Sequence, residues 1–407
     1  MTSVLKPQDA GEVAEAVAWA ASAEAPLEIV GGGSRRGIGR PLQVDTTLDL
    51  SALDAITLYE PEELVLSARA GTPLARVRDT LAAANQELAF EPPDLGALLG
   101  EAEGAGTIGG LLAGNLSGPR RVKAGAARDH FLGFAGVSGR GEAFKSGGRV
   151  VKNVTGYDLC KVLAGSWGTL AVMTDVTVKV LPAAETRATV LLLGLADQAA
   201  MAAMSAGLVT PYDVSAAAHL PAAIAAGSTV TAVAAAGRAV TALRLEGIAA
   251  SVAYRVDRLR AHLEPRGDVG VLDAEASAAL WREIRDVRYL AGDPARPVWR
   301  VSVPPMSGAA LVAAIGAAGG ARAFYDWGGG LVWIDFDAAD DAHAARLRAA
   351  VAATGGHATL IRAAHDVRAR VEVFQPQAPH VAALGRRLKE SFDPRGILNP
   401  GRMYAGV

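Results

Sequence analysis

The chain has 407 residues, of which 51% are apolar and 20% are charged, a composition that excludes an intrinsically disordered protein. Its 40 basic and 42 acidic side chains leave a formal net charge of −2, which argues against the strongly basic face typical of nucleic-acid binding. The single cysteine, Cys160, excludes an intramolecular disulfide, an all-thiolate zinc site and an iron–sulfur cluster held by this chain's own thiolates. Electron transfer by this chain would therefore need an organic cofactor.

No segment of the sequence has the pattern of a targeting or membrane-spanning signal. The N-terminus lacks the basic-then-apolar order of a signal peptide. The longest charge-free run, residues 214–237, contains a proline and a glycine, and we interpret it as a helix followed by a strand. We therefore expect a cytoplasmic protein, with any membrane association made through partners.

The first 180 residues alternate short helices, short strands and glycine clusters. Apolar residues at helical spacing predict a helix over residues 9–23. Strands are predicted over residues 26–30, 47–50, 64–70 and 168–181. A further helix is predicted over residues 73–84, with Thr72 as its cap and Pro73 in its first turn.

The composition changes at about residue 183, where alanine-rich helices begin to alternate with strands. These strands are predicted over residues 189–194, 228–235, 298–303, 321–325, 331–336 and 358–362. The pattern predicts a second domain of α+β type. The tail is predicted to form a basic helix over residues 381–391, followed by a turn-rich segment.

The first two of three glycine-rich segments have the composition of phosphate-binding loops. In residues 31–39, glycines let backbone N–H groups converge on an anion, and Ser34 adds a donor; a sharp turn is the alternative. Arg36 stands where a G-x-G-x-x-G fingerprint needs glycine, so this is not a Rossmann motif. Residues 104–118 combine bare backbone amides with short polar side chains, which suits a pyrophosphate and a flat heterocycle; a flexible linker is the alternative.

The third segment, residues 165–174, is a glycine turn that leads into a buried strand. The order of the three segments, together with residues 128–133, 155–158 and 393–401, resembles the flavin-binding domain of vanillyl-alcohol-oxidase/PCMH-type flavoproteins. Residues 148–159 and 326–333 are similar to one subfamily, the E-type FAD-binding subunits of bacterial glycolate oxidases.

This resemblance implies an α+β fold with a PCMH-type FAD-binding domain of two α/β subdomains over residues 1–182. An α+β cap would cover residues 183–378, and residues 379–407 would return to the first domain. Because residues 33–37 contain no histidine or cysteine, we expect non-covalent FAD. The expected FAD-binding residues are Val30, Gly31, Gly32, Gly33, Ser34, Arg35, Thr107, Ile108, Gly109, Gly110, Asn115, Ser117, Gly118, Gly165, Ser166, Gly168, Val172 and Asn399.

The resemblance also implies the FAD-binding subunit of a glycolate oxidase complex, which oxidises glycolate or D-2-hydroxy acids to 2-keto acids. Its partners would be a D-type FAD subunit and an F-type iron–sulfur subunit that receives the electrons. Catalytic relatives resembling the D subunit carry metal-binding histidines where residues 326–331 have none. We therefore assign no metal and no catalytic residue, and we favour an electron-transfer role.

Two alternatives remain open. The chain could be an autonomous FAD-dependent D-2-hydroxy-acid dehydrogenase that binds the substrate carboxylate with Arg300 or with the basic run at residues 120–128. It could also be a structural subunit with an idle flavin. Each candidate residue has a structural interpretation as well: a surface ion pair for Arg300, a solvated loop for residues 120–128, and a half-buried hydrogen-bonded side chain for His130.

Overall fold

A computed structural model describes residues 3–149, 156–316 and 319–407 of the chain. The strands are β1 (Ser3–Leu5), β2 (Leu27–Val30), β3 (Thr46–Asp49), β4 (Ile56–Glu60), β5 (Val65–Arg69), β6 (Gln86–Glu87), β7 (Phe131–Ser138), β8 (Ala143–Gly147), β9 (Ala171–Lys179), β10 (Leu181–Pro182), β11 (Thr186–Leu193), β12 (Ala216–Leu220), β13 (Val240–Gly247), β14 (Asp268–Leu272), β15 (Val298–Ser302), β16 (Arg322–Asp326), β17 (Leu331–Asp335) and β18 (His357–Arg362).

The helices are α1 (Ala10–Ala23), α2 (Leu74–Ala82), α3 (Gly96–Leu99), α4 (Ile108–Gly114), α5 (Arg121–Ala124), α6 (Ala127–His130), α7 (Leu159–Leu163), α8 (Asp197–Leu208), α9 (Ala222–Ala225), α10 (Thr231–Ala234), α11 (Ala249–Leu263), α12 (Ala274–Arg285), α13 (Gly308–Ile315), α14 (Ala344–Thr354), α15 (His365–Arg370) and α16 (Pro379–Phe392). This mixture of helices and sheets confirms the predicted α+β class. Among the described residues, no helix is both long enough and apolar enough to cross a lipid bilayer.

The N-terminal part of the chain forms a three-stranded parallel sheet in the order β1-β3-β2. Helix α1 begins after Asp9, whose carboxylate accepts a hydrogen bond from the Glu12 N–H at 3.0 Å, as a helix N-cap does. Its apolar face buries Val13, Val17 and Ala20, which confirms the helix predicted over residues 9–23.

A five-stranded antiparallel sheet follows, in the order β4-β5-β9-β7-β8. Its central strand β9 forms within the run predicted as a strand over residues 168–181. Helix α2 also forms as predicted, but Thr72 does not cap it. The Thr72 hydroxyl instead bonds the backbone N–H and carbonyl of Ala55, each at 3.1 Å, while Pro73 is the N-cap residue.

Residues 186–362 contribute all strands of an eight-stranded antiparallel sheet, in the order β14-β11-β13-β12-β16-β17-β15-β18. The strand predicted over residues 228–235 was wrong, because this segment contains α10. The strand of that region is β12, which comes earlier, so the predicted helix-then-strand order of residues 214–237 is reversed. Every residue of β12 is buried, and a strand buried on both faces shows no alternation by which the sequence could reveal it.

The C-terminal segment returns to the three-stranded sheet. Leu398 pairs in parallel with Leu27 of β2, so the tail extends that sheet by one bridge. A buried ion pair fixes the turn before it: the Lys389 ammonium donates to the Asp393 carboxylate at 2.6 Å, and the same carboxylate accepts from the backbone N–H groups of Ile397 and Leu398.

Candidate cofactor cleft

An open cleft with an empty volume of about 740 Å³ lies where β2, α4, β9 and the C-terminal segment meet. It is lined by Ile29, Val30, Gly31, Gly32, Gly33, Ser34, Arg35, Arg36, Leu50, Ala70, Thr107, Gly109, Gly110, Ala113, Trp167, Gly168, Ala171, Met173, Asn399 and Arg402. The three glycine-rich segments singled out in the sequence therefore meet at one place.

Two of these segments approach so closely that glycine is required. A Cβ atom on Gly32 would lie 1.7 Å from the Ala105 carbonyl oxygen, and one on Gly31 would lie 2.4 Å from the Thr107 hydroxyl oxygen. Thr107 caps α4 by accepting a hydrogen bond from the Gly110 N–H at 3.3 Å. The first two segments thus form one continuous wall of backbone with little side-chain cover.

Asn399 joins the end of β2 to the third segment. Its side-chain oxygen accepts from the Ile29 N–H, and its side-chain nitrogen donates to the Trp167 carbonyl, each at 2.8 Å. Asn399 and Trp167 both have left-handed backbone, with φ of 42° and 54°, a conformation that costs energy in non-glycine residues and is concentrated at functional sites. A Cβ on Gly168 would lie 2.6 Å from the Asn399 side-chain nitrogen, so this corner also requires glycine.

Two arginines give the cleft a positive charge. Arg402 is 7% exposed; its Nη2 donates to the Arg35 carbonyl at 2.8 Å, and its Nε has no hydrogen-bond partner among the described residues. Burial lowers the pKa of both Arg35 and Arg402 to about 10. Within the described chain, no carboxylate oxygen lies within 4.0 Å of either guanidinium, so both are available to a bound anion.

The structure brings together most, but not all, of the predicted site residues. The cleft is lined by Val30, Gly31, Gly32, Gly33, Ser34, Arg35, Thr107, Gly109, Gly110, Gly168 and Asn399 from that set. Outside its lining are Ile108, Asn115, Ser117, Gly118, Gly165, Ser166 and Val172.

These other residues have structural surroundings of their own. Ile108 and Val172 are fully buried in the core. Asn115 accepts a hydrogen bond from the Arg128 N–H at 3.0 Å, and Ser117 accepts one from the Ala127 N–H at 2.9 Å. Gly118 packs against Glu91, whereas Gly165 and Ser166 line a second cavity beside α16. Half of the predicted motif at residues 148–159 lies outside the described residues, which omit 150–155.

Several lining residues were not predicted from the sequence. Trp167 and Met173 belong to the third segment but were not among the predicted site residues, and Leu50 and Ala70 directly follow β3 and β5, which carry no motif. Arg402 follows a Pro-Gly turn in a basic tail, where a surface position is the usual expectation. Only the return of the tail to β2 brings it into the cleft.

The other candidate side chains also have defined environments. His130 is 3% exposed, and its ring nitrogens contact the Ala124 and Lys179 carbonyls at 2.8 and 3.3 Å, which agrees with the structural interpretation. In the basic run at residues 120–128, Arg120 does not lie in a solvated loop, because its guanidinium is buried against Glu246 at 2.9 Å. The other basic side chains of the run, Arg121, Lys123 and Arg128, are exposed, as the solvated-loop interpretation expects. Arg300 makes no ion pair with any described residue, so the surface ion pair considered from the sequence is not formed.

These features fit a dinucleotide cofactor with a diphosphate group. The cleft combines a bare backbone wall, which only glycine permits, with the guanidiniums of Arg35 and Arg402, neither of which has a carboxylate oxygen within 4.0 Å among the described residues. This set of donors matches a doubly charged diphosphate. Comparisons with known proteins agree. A family described as "FAD binding domain" matches residues 1–147, and one described as "FAD linked oxidases, C-terminal domain" matches residues 375–403.

The glycolate oxidase subunit GlcE of Escherichia coli is 32% identical over 392 residues, which cover 96% of each chain. The chain belongs to the PCMH-type family of FAD-linked oxidoreductases. A second family member, glycolate oxidase subunit GlcD of Bacillus subtilis, is 29% identical over 47% of this chain and 39% of its own. The solved structure of p-cresol methylhydroxylase shares the fold, with a TM-score of 0.73 and 14% identity over 99% of this chain and 88% of the other.

The cofactor of this family member is FAD. When bound, FAD accepts a hydride equivalent and releases electrons to another acceptor. The chain's own part is to bind and orient it. The backbone wall at residues 31–33 and 105–110, the Asn399 corner and the two arginines are the groups available for that purpose.

Proposed function

We propose that the chain is the FAD-binding subunit of a glycolate oxidase-type complex that oxidises glycolate or related D-2-hydroxy acids to 2-keto acids. A D-type FAD subunit and an F-type iron–sulfur subunit would be its partners, and the iron–sulfur subunit would receive the electrons. The complex would be cytoplasmic and would reach a membrane only through these partners. The observation that carries this proposal is the 32% identity to GlcE over 96% of both chains.

We further propose the division into an FAD-binding domain (1–182), a cap (183–378) and a C-terminal segment (379–407). Two features support it: all strands of the eight-stranded sheet come from residues 186–362, and Leu398 pairs with Leu27. FAD would bind non-covalently, because the residues lining the cleft include no histidine or cysteine.

Within the cleft, we assign diphosphate binding to the backbone of residues 31–34 together with Arg35 and Arg402. Two guanidiniums would balance the two negative charges of the diphosphate, which removes the cost of burying either set of charges alone. Asn399 would act as a positioning residue, because its two side-chain hydrogen bonds link Ile29 and Trp167, which both line the cleft.

Oxidation of a 2-hydroxy acid requires three groups: a cation that binds the substrate carboxylate, a base that accepts the hydroxyl proton and a bound hydride acceptor. The described cleft provides the site for the hydride acceptor, and no base is assigned within it. We therefore favour a complex in which a partner subunit binds the substrate hydroxyl.

The test is to purify the chain alone and co-expressed with its D-type and F-type partners. Bound flavin is first quantified by absorbance, and each preparation is then mixed anaerobically with glycolate. We expect stoichiometric flavin in the lone chain, no rapid bleaching of that flavin by glycolate, and rapid bleaching in the complex. Rapid bleaching of the lone chain would instead identify an autonomous dehydrogenase, and a chain that binds no flavin would refute the proposal as a whole.

A further inference from the structure

The 91–120 segment, which contains the second glycine-rich segment, is held along its length by side chains of the eight-stranded sheet and the adjoining helix α12. Several of its residues between 107 and 113 line the cofactor cleft. Its hydrogen-bond partners include Arg244 of β13, Asp286 at the end of α12 and Arg362 of β18. Among the described residues, none from that sheet lines the cleft itself, so the sheet acts on the cleft only through this segment.

A buried ion pair holds the first residue of the 91–120 segment. The Arg244 guanidinium is 1% exposed and donates to both oxygens of the Glu91 carboxylate, each at 2.8 Å. The same carboxylate accepts the Arg120 N–H at 2.7 Å, and the Arg120 guanidinium pairs with Glu246 of β13 at 2.9 Å. The two ends of the segment are therefore bound to each other and to β13.

Asp286 holds the part of the segment that leads toward the cleft. Its buried carboxylate accepts the Asp94 N–H at 2.8 Å and also accepts hydrogen bonds from the Arg285 guanidinium. The Asp94 carboxylate in turn accepts the Gly96 N–H at 3.0 Å and the Gly104 N–H at 2.7 Å. Fixing Asp94 thus also fixes the turn that precedes the cleft-lining residues.

The same loop contacts Arg35, one of the two arginines of the cleft. The Arg35 Nη2 donates to the Pro93 carbonyl at 3.4 Å. Burial lowers the pKa of Arg35, and the charge of Asp94 opposes this shift. Ser34 and Arg35 line both the cofactor cleft and a smaller crevice of about 300 Å³, which Pro93 and Asp94 also line. Asp286 is therefore linked to Arg35 through a single loop, although it does not line the cleft.

We propose that Asp286 and Arg244 are positioning residues for FAD, which hold the 91–94 loop so that the Arg35 guanidinium stays at the cofactor cleft. The inference rests on the proposed assignment of Arg35 to the diphosphate. A long arginine side chain that is already ordered before binding loses less conformational entropy when the anion binds. Such coupling is reciprocal, so bound FAD must tighten the contacts of the loop by the same factor.

The experiment measures the dissociation constant of FAD for the folded, FAD-free full chain by flavin fluorescence. Asp286→Ala and Arg244→Gln should each raise it about five- to 100-fold. Asp286→Asn keeps an acceptor oxygen and Arg244→Lys keeps the positive charge, so these conservative variants should raise it less.

Glu283→Ala is the matched control for Asp286→Ala. Glu283 is also a buried carboxylate of α12, and it also accepts a backbone N–H, that of Thr229 at 2.7 Å. Its other hydrogen-bond partners in the described chain are Ser228 and Tyr289, which lie outside the 91–120 segment. This variant should lose stability but leave the dissociation constant of FAD unchanged.

A double-mutant cycle with Arg35→Gln separates positioning from a general loss of stability. If Asp286 acts through Arg35, Asp286→Ala should change the FAD affinity of the Arg35→Gln chain less than about twofold. Two effects that multiply in the double variant would overturn the inference, as would an unchanged affinity in both Asp286→Ala and Arg244→Gln.

If the variants do not fold, amide hydrogen exchange on the unaltered chain decides the question. The N–H groups of Asp94 and Arg120, which donate to Asp286 and Glu91, should exchange at least about fivefold more slowly with FAD than without it. The Thr229 N–H, which donates to Glu283, should exchange at the same rate in both states. Equal exchange of Asp94 and Arg120 with and without FAD would overturn the inference.

The Arg35→Gln variant alone reports on the assignment on which the inference rests. Unchanged FAD affinity in this variant would refute the diphosphate assignment together with the positioning role. Weaker FAD binding in Arg35→Gln with unchanged binding in Asp286→Ala and Arg244→Gln would refute the positioning role alone. Glycolate does not enter these measurements, so the anaerobic bleaching experiment tests the proposed complex separately.

Discussion

Replacing Arg402 with methionine removes a buried charge from the cofactor cleft and leaves most of its apolar stem. Arg402 is 7% exposed, its Nε has no hydrogen-bond partner among the described residues, and its Cζ lies 5.8 Å from the centroid of the Trp167 ring. Among the described residues no carboxylate oxygen lies within 4.0 Å of this guanidinium, and the more distant charge of Glu28 only partly opposes the effect of burial on its pKa. Its favourable electrostatic partner should therefore be the cofactor. The substitution should therefore weaken FAD binding more than it affects folding.

The expected size of the effect comes from the charged hydrogen bond that is lost. Such a bond contributes about 1.5–3 kcal/mol, and about 1.4 kcal/mol corresponds to a tenfold change in affinity. The dissociation constant of FAD should rise about 10- to 100-fold. The FAD-free protein should be no less stable to heat, since burial of an unpaired cation is itself unfavourable.

The assay titrates the FAD-free protein with FAD, ADP and riboflavin and follows flavin fluorescence or heat. ADP binding should weaken with FAD binding, whereas riboflavin, which lacks phosphate, should bind as before. Arg395→Met is the control, because Arg395 in the same segment forms an exposed ion pair with Glu24. An unchanged FAD affinity in Arg402→Met, or an equal loss of riboflavin binding, would refute the assignment of Arg402 to the diphosphate.

Three further substitutions test other parts of the structure. Gly32→Ala should abolish FAD binding and lower the melting temperature, because its Cβ would lie 1.7 Å from the Ala105 carbonyl oxygen. Gly292→Ala is the control, because no atom lies within 4 Å of the position of its Cβ. Retention of flavin by Gly32→Ala would contradict this prediction. Burial alone would raise the pKa of Glu91, but the charges of Arg244 and Arg120 outweigh it and lower this pKa from 4.5 to about 2. The free energy of unfolding should therefore decrease as the pH is lowered from about 4.5 to 2. Glu91→Gln, measured by denaturant titration, should already be less stable by about 3–5 kcal/mol at pH 7 and should not show this loss of stability in acid. Burial raises the pKa of Asp326 to about 7, so stability should be lost as pH rises from about 4 to 7; Asp326→Asn should remove this loss, and an unchanged pH profile would contradict it.

Local patterns were the part of the fold that could be predicted from the sequence. The helix over residues 9–23 has both a capping aspartate and a one-sided apolar face, and it forms where predicted. The strand predicted over residues 228–235 failed because an alanine-, threonine- and valine-rich run has no period that separates a helix from a fully buried strand.

The cofactor cleft shows the same limit at the level of a site. The glycines of the first two segments were found because close backbone approach demands them at fixed positions. Arg402 was missed because its burial depends on pairing between Leu27 and Leu398, which are far apart in the sequence. No local pattern distinguishes such an arginine from one on a solvated surface.

The return of the tail to β2 has a consequence for the order of events during synthesis. Asn399 closes one corner of the cleft by bonding Ile29, 370 positions earlier. Arg402 supplies one of the two lining guanidiniums that have no carboxylate oxygen within 4.0 Å in the described part of the chain. A growing chain on the ribosome therefore lacks a complete cleft until residues 399 and 402 have emerged from the exit tunnel. FAD capture should therefore follow the emergence of residue 402, and chains that terminate before residue 399 should accumulate without flavin.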